Sequence, residues 1–219
     1  MPLQIGDNSS EGWTGVQDLR VDGKTVRLVA MPVGASWLEL WRRDPHVIEI
    51  DSSTTLLTPS WALYADVVII GGGGGGAGGD GALAKSGNGG SAARYKSVTR
   101  IVQRGEALDF TIGIGGSGGR SEKASGARGG TTMFAHTDYS VGAIGGAGGT
   151  DVGGTSSGDD TGKYTRDGWE IMGAKGGIVG YPGEAPGAGG GGGPGGFFGK
   201  WKPGQAGGKG GAWVRFRSA

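Results

Sequence analysis

His46 and His136 are the only two histidines in a chain of 219 residues that contains no cysteine, so the side chains that hold transition metals are scarce. Neither has a second histidine at metal-ligand spacing, and no metal site is expected. Asp159-Asp160-Thr161-Gly162, with Asp167 and Glu170 downstream, does not place its acids at the alternating positions of a calcium loop. It reads as a solvated acidic loop. Gly71 to Gly76 are six glycines in a row and satisfy GxGxxG trivially. The dinucleotide fingerprint needs a helix next, which a glycine run cannot supply. There is no GxxxxGK[ST] phosphate loop and no serine in a nucleophile elbow. No catalytic residue and no cofactor is expected.

The chemistry that remains is recognition. Asp151 to Met172 reads as a long interruption between the glycine runs 142–149 and 173–180, and in it Asp159, Asp160, Lys163, Tyr164, Arg166 and Trp169 offer charges and aromatic faces. A second stretch, Phe197-Phe198-Gly199-Lys200-Trp201-Lys202-Pro203, gathers three aromatics and two lysines in seven residues. Exposed aromatics beside hydrogen-bonding groups suit a protein or sugar ligand. The competing reading is that Phe197, Phe198 and Trp169 bury the ends of a domain that has almost no side-chain core. As whole loops held by a rigid scaffold, both stretches are binding candidates.

What must position these loops is unusual. Glycine supplies 55 residues, of which five precede Gly71 and fifty lie from Gly71 onward. The domain boundary is therefore read at 58/59: a small N-terminal β-region over 1–58, then a glycine-rich domain over 59–219. The first part reads as short strands over Val16–Val21, Thr25–Met31, Trp37–Trp41, Val47–Ile50 and Thr54–Leu57, with Asp22-Gly23 as a hairpin turn. Pro59 to Ile70 reads as a buried strand entering Gly71. Beyond it, glycine runs at roughly 71–79, 87–90, 113–119, 126–130, 142–149, 173–180, 187–196 and 204–211 alternate with strand-like pieces at Ser97–Gln103, Leu108–Ile114, Thr131–Ala135, Tyr139–Ile144 and Ala212–Arg217.

A flexible linker would be poor in large apolar groups, whereas this segment includes Phe110, Phe134, Trp169, Trp201 and Trp213. Collagen requires glycine strictly every third residue with abundant proline, and the whole chain has 8 prolines. The geometry left is the extended three-residue helix of polyproline II type, built from glycine. Side by side, such helices can bond their neighbours because no Cβ separates them. Runs of about 5–10 residues at ~3.1 Å per residue give rods of about 15–30 Å. The expected fold class is mostly β plus irregular: a small β-domain, then a bundle of polyglycine II helices framed by short strands. Ala77, Ser117, Ala147 and Ala188 are expected to face outward.

The net charge is +1, which argues against a nucleic-acid partner. The start of the chain lacks a basic stretch followed by an apolar run, so no secretory signal is expected.

Pro59-Ser60-Trp61-Ala62-Leu63-Tyr64-Ala65-Asp66-Val67-Val68-Ile69-Ile70-Gly71, then Leu108 to Gly119, Gly126 to Thr132 and Ala143 to Gly149, resemble in order the glycine-rich domain of minor tail proteins of phages that infect mycobacteria and related actinobacteria. The likeness spans about 54–217. It extends loosely to the receptor-binding adhesin of the long tail fibre of T-even-like Salmonella phages, where loops at the distal end of a polyglycine sandwich contact the receptor. A similar region occurs in an animal receptor tyrosine kinase. The resemblance implies a non-enzymatic virion protein of a tail tip or fibre, by tail-fibre analogy a homotrimer. Its N-terminal region would join other tail proteins, and its loops would meet a host glycan, glycolipid or protein. The alternatives are a purely structural spacer or assembly subunit, and an enzyme on envelope polysaccharide, for which no residues are evident.

Overall fold

The computed structural model describes residues 45–218 throughout and, before them, the backbone of four short strands. β1 (Leu19–Val21) pairs antiparallel with β2 (Lys24–Val26), with Val21 opposite Lys24. The expected Asp22-Gly23 turn itself lies outside the described residues, as does the start of the expected strand Val16–Val21. β3 (Leu28–Val33) pairs with β4 (Ser36–Arg42), the register shifting between Val29 and Ala30. The expected single strand Thr25–Met31 is thus divided between β2 and β3.

The remaining strands are β5 (His46–Ile50), β6 (Thr54–Leu57), β7 (Tyr64–Ile70), β8 (Tyr95–Ile101), β9 (Ala107–Thr111), β10 (Thr132–His136), β11 (Tyr139–Ala143), β12 (Tyr164–Arg166), β13 (Trp169–Ile171) and β14 (Gly211–Arg217). They form a sheet in the order β5-β14-β7-β8, a second in the order β11-β10-β9-β6, and the β12-β13 hairpin. β7 is central and buried on both faces, which is why its residues are apolar apart from Asp66 and the ring hydroxyl of Tyr64. Val67 and Ile69 point into a core with Leu108, Phe110 and Phe134 of the second sheet. Val68 and Ile70 point the other way, onto Ile171 and Trp213 with Tyr95, Tyr164 and Trp169 against them. Phe110 and Phe134 are cross-strand partners with ring centroids 5.2 Å apart. Each fully buried side chain of this size contributes about 1.5–3 kcal/mol.

Strands run directly into the glycine segments. After β7, residues 71–80 donate hydrogen bonds in a repeat of three. Gly72, Gly75 and Gly78 donate to Gly130, Ala127 and Ala124, while Gly73, Gly76 and Gly79 donate to Gly208, Gln205 and Lys202. Gly74, Ala77 and Asp80 donate to Ser91, Asn88 and Lys85. The carbonyls of the same run accept from three further segments, through Gly116 and Gly119, through Gly146 and Gly149, and through Gly190, Gly193 and Gly196. The run is therefore enclosed by six others, three antiparallel and three parallel. Residues 187–196 form a second enclosed run with 71–80, 85–93, 155–161, 173–180, 181–184 and 202–210 around it.

Glycine is required there by distance. A Cβ built on Gly73 overlaps the carbonyl oxygen of Ala188, and one on Gly192 overlaps that of Gly87. Of the glycines, only a few have positive φ, at turns or at the start of a run, such as Gly199 (φ 75) and Gly187 (φ 71). In the buried interior, then, the missing side chain matters more than backbone freedom.

Three expectations need correction. Ala77 and Ala188 do not face outward: both have 0% exposure, because each lies on an enclosed run, where every direction leads to a neighbour. Ser117 and Ala147 are exposed as expected. The boundary at 58/59 cuts through both large sheets, since β5 pairs with β14 and β6 with β9. Asp151 to Met172 is not one loop. It contains a glycine-run segment, 155–161, and the β12-β13 hairpin. Coarsely, the described residues are β-strands and irregular segments without an α-helix.

Candidate functional site

Runs 71–80, 113–120, 143–150 and 187–196 lead away from the sheets and are parallel to one another; 85–93, 124–131, 155–161 and 202–210 lead back. Their connecting turns, 81–84, 121–123, 151–154 and 197–201, consequently meet at the end opposite the β-strands. Polar contacts fasten these turns together. Gly199 N–H donates to the Gly81 carbonyl at 2.9 Å, and Gly81 N–H donates to Glu122 Oε1 at 2.9 Å. Asp80 is buried beneath them. It accepts from the Ala82 and Leu83 amides at 2.6 and 3.1 Å, and its Oδ2 lies 3.2 Å from Lys123 Nζ. The Ala82 amide, with Leu83 and Lys123, holds its carboxyl below the usual range against the opposing effect of burial. Asn88 steadies the 151–154 turn, accepting from Gly154 N–H at 2.8 Å and donating to the Thr150 carbonyl at 2.6 Å.

On this platform stand large apolar side chains in solvent: Leu83 is 61% exposed, Phe197 60% and Phe198 98%. Phe198 also sits at φ 56, a left-handed conformation that bulky residues rarely adopt. Trp201 is half-buried beside Gly81, while Lys200 is exposed next to it.

The sequence candidates divide between regions. Phe197, Phe198, Lys200 and Trp201 lie at the turn end. Tyr164, Arg166 and Trp169 lie at the strand end, in the β12-β13 hairpin, and are engaged there. Tyr164 stacks on Tyr95 with centroids 5.0 Å apart and donates to Ser97 Oγ at 2.8 Å. Arg166 donates to Thr99 Oγ1 at 2.9 Å, and Trp169 lies under the Arg215 guanidinium at 5.2 Å. Between the ends, Asp159 donates its backbone N–H to Gly90 and Asp160 pairs with Lys175 at 2.6 Å. Lys175, with the Gly176 amide, holds the Asp160 carboxyl below the usual range. Lys163 pairs with Glu170 at 2.7 Å. Among the described residues no three His, Asp or Glu side chains are grouped to hold a metal ion.

Sequence reading missed Leu83, Glu122 and Lys123, since it weighed interruptions by length. The usable signal is alternation: breaks between runs fall by turns at the strand end and at the turn end, and those without strand-forming residues belong to the latter.

Fold and site together define a scaffold of glycine runs, clamped by β-sheets at one end and closed by short turns at the other. Residues 50–177, more than half of the chain, match the glycine-rich domain family, and the protein belongs to that family. No curated protein matches it.

Proposed function

We propose that the protein is a non-enzymatic recognition scaffold of a phage tail tip or fibre, with the turn end directed at the host envelope. The region before β5 would attach it to other tail proteins. The observation that carries this reading is Phe198, held at 98% exposure in a strained backbone conformation. A ring kept in water at a conformational cost has no folding role, whereas exposed aromatics on a rigid base are what binding surfaces use. Leu83 and Phe197 extend the same apolar patch.

The rods behind it are, on this reading, polyglycine II helices. What supports this is the three-residue repeat of donated bonds along 71–80 and the six segments around it. Such a bundle would fix the turns rigidly, lowering the entropy lost on binding.

Fluorescently labelled protein should bind mycobacterial cells and leave a Gram-negative control bare, and the Leu83→Ser/Phe198→Ser variant should lose at least about tenfold in affinity, roughly 1.4 kcal/mol. Absence of binding to a panel of actinobacterial cells, or equal binding by the variant, would sink the proposal and favour the spacer reading.

A further inference from the structure

Along one flank, away from the turn end, a groove of about 950 Å³ runs over residues 91–96, with 144–147 and 159–161 on either side. Its size falls within the range of about 300–1,000 Å³ typical of small-ligand sites. The floor carries little side-chain bulk, being built from Ser91, Ala92, Gly145, Gly146 and Ala147. The backbone N–H groups of Ala92, Gly145 and Ala147 have no partner among the described residues. The hydroxyl of Tyr95, which also lines the groove, is buried beside the Thr161 side chain and makes no well-formed hydrogen bond.

Three cations border this floor. Arg128 reaches across to donate to the Gly145 carbonyl at 3.1 Å. Arg94 and Lys96 are exposed lining residues with no hydrogen bond or ion pair among the described residues. Two acids, Asp159 and Asp160, face them, but Asp160 is already neutralised by Lys175. The local balance is positive, in a chain whose overall charge is nearly zero.

We infer that this flank groove binds a short acidic oligosaccharide, independently of the turn end. Sugar hydroxyls would pair with the open amides, and carboxylates with Arg94 and Lys96, where guanidinium geometry favours a planar anion. The glycine and alanine floor lets a ring approach the backbone closely. An apolar peptide anchor finds no deep hydrophobic pocket here, since Ile144 is the one large aliphatic side chain in the lining.

The test is calorimetric titration of the full chain at low salt with trigalacturonate, maltotriose, hexaglutamate and inorganic phosphate. Trigalacturonate should bind with a dissociation constant of about 1 mM or tighter, and the other three at least tenfold more weakly. Arg94→Gln/Lys96→Gln should weaken it at least tenfold by removing charge. Ala147→Trp should do the same by filling the groove with the charges kept. Both changes are at exposed positions, and thermal melts should confirm that each variant folds. Phe198→Ser should leave the titration unchanged, which separates this site from the turn-end reading. No binding of trigalacturonate, comparable binding of hexaglutamate, phosphate or maltotriose, or indifference to both groove variants overturns the inference.

Discussion

Gly74 and Ala147 lie so close that a methyl group on Gly74 would overlap the carbonyl oxygen of Ala147. Backbone meets backbone, so no side-chain rotation can relieve the clash. Gly74→Ala should destabilise the protein by at least about 3 kcal/mol, while Ser117→Ala on the exposed face of a neighbouring run should stay within about 0.5 kcal/mol. Denaturant unfolding of the two variants measures the contrast.

Asp66 is buried in the centre of the β7 sheet, its side chain 1% exposed, with Arg215 Nη2 and Arg217 Nε each 2.9 Å from Oδ2 and Thr99 Oγ1 2.7 Å from Oδ1. Burial acts to raise its pKa, but the bonds from Arg217, Thr99 and Arg215 together outweigh that and leave it below its ordinary 3.8. A depressed folded value means that the stabilisation is full above the unfolded pKa and is lost as pH falls from about 3.8 through the folded value. Thermal melts from pH 7 to pH 2 should show this acid loss in the native protein, and Asp66→Asn should flatten it. Breaking a fully buried pair costs about 3–5 kcal/mol. Both guanidiniums here reach solvent, so Asp66→Asn should cost roughly 2 kcal/mol at pH 7.

Trp169 packs beneath Arg215 and against the cluster of Val68, Ile70 and Trp213. Full burial would make truncation cost about 3–5 kcal/mol. For this half-buried ring we expect Trp169→Ala to cost about 1–3 kcal/mol without altering cell binding at temperatures where the variant stays folded. A lost cell interaction with unchanged stability would return Trp169 to the recognition surface.

Phe198 should show the opposite trade. Its φ of 56 costs a residue with a Cβ roughly 1–2 kcal/mol relative to glycine. Phe198→Gly should therefore raise stability, by up to about 1 kcal/mol after glycine's larger unfolded-state entropy is set against it. The same variant should lose cell binding. Stability by denaturation and binding by fluorescence must move in opposite directions.

The glycine runs were legible because ordered glycine without collagen's period leaves few ways to pair a backbone, and β7, β9, β10, β11 and β14 were legible from β-branched and aromatic residues. The β12-β13 hairpin was not. Its strands have three residues each, too short for alternation to show, and they become strands by packing Tyr164 and Trp169 on the face of β7 and β14. Ala77 and Ala188 misled for a related reason: a non-glycine residue in a run looks like a surface position until the number of neighbours around that run is known.

By itself, the sequence determined that the chain must solve a backbone problem: long glycine runs with too little side-chain bulk to form a core, flanked by apolar pieces able to clamp them. Which runs are enclosed and which are peripheral depends on how the segments pair, because a glycine segment has no side chains to encode its neighbours. Tertiary structure decided that 71–80 and 187–196 lie at the centres. It also decided that Phe197 and Trp169, both candidates in the sequence, stand at opposite ends of the glycine runs, since chain direction reverses at each turn and only the pairing of runs reveals where each turn falls.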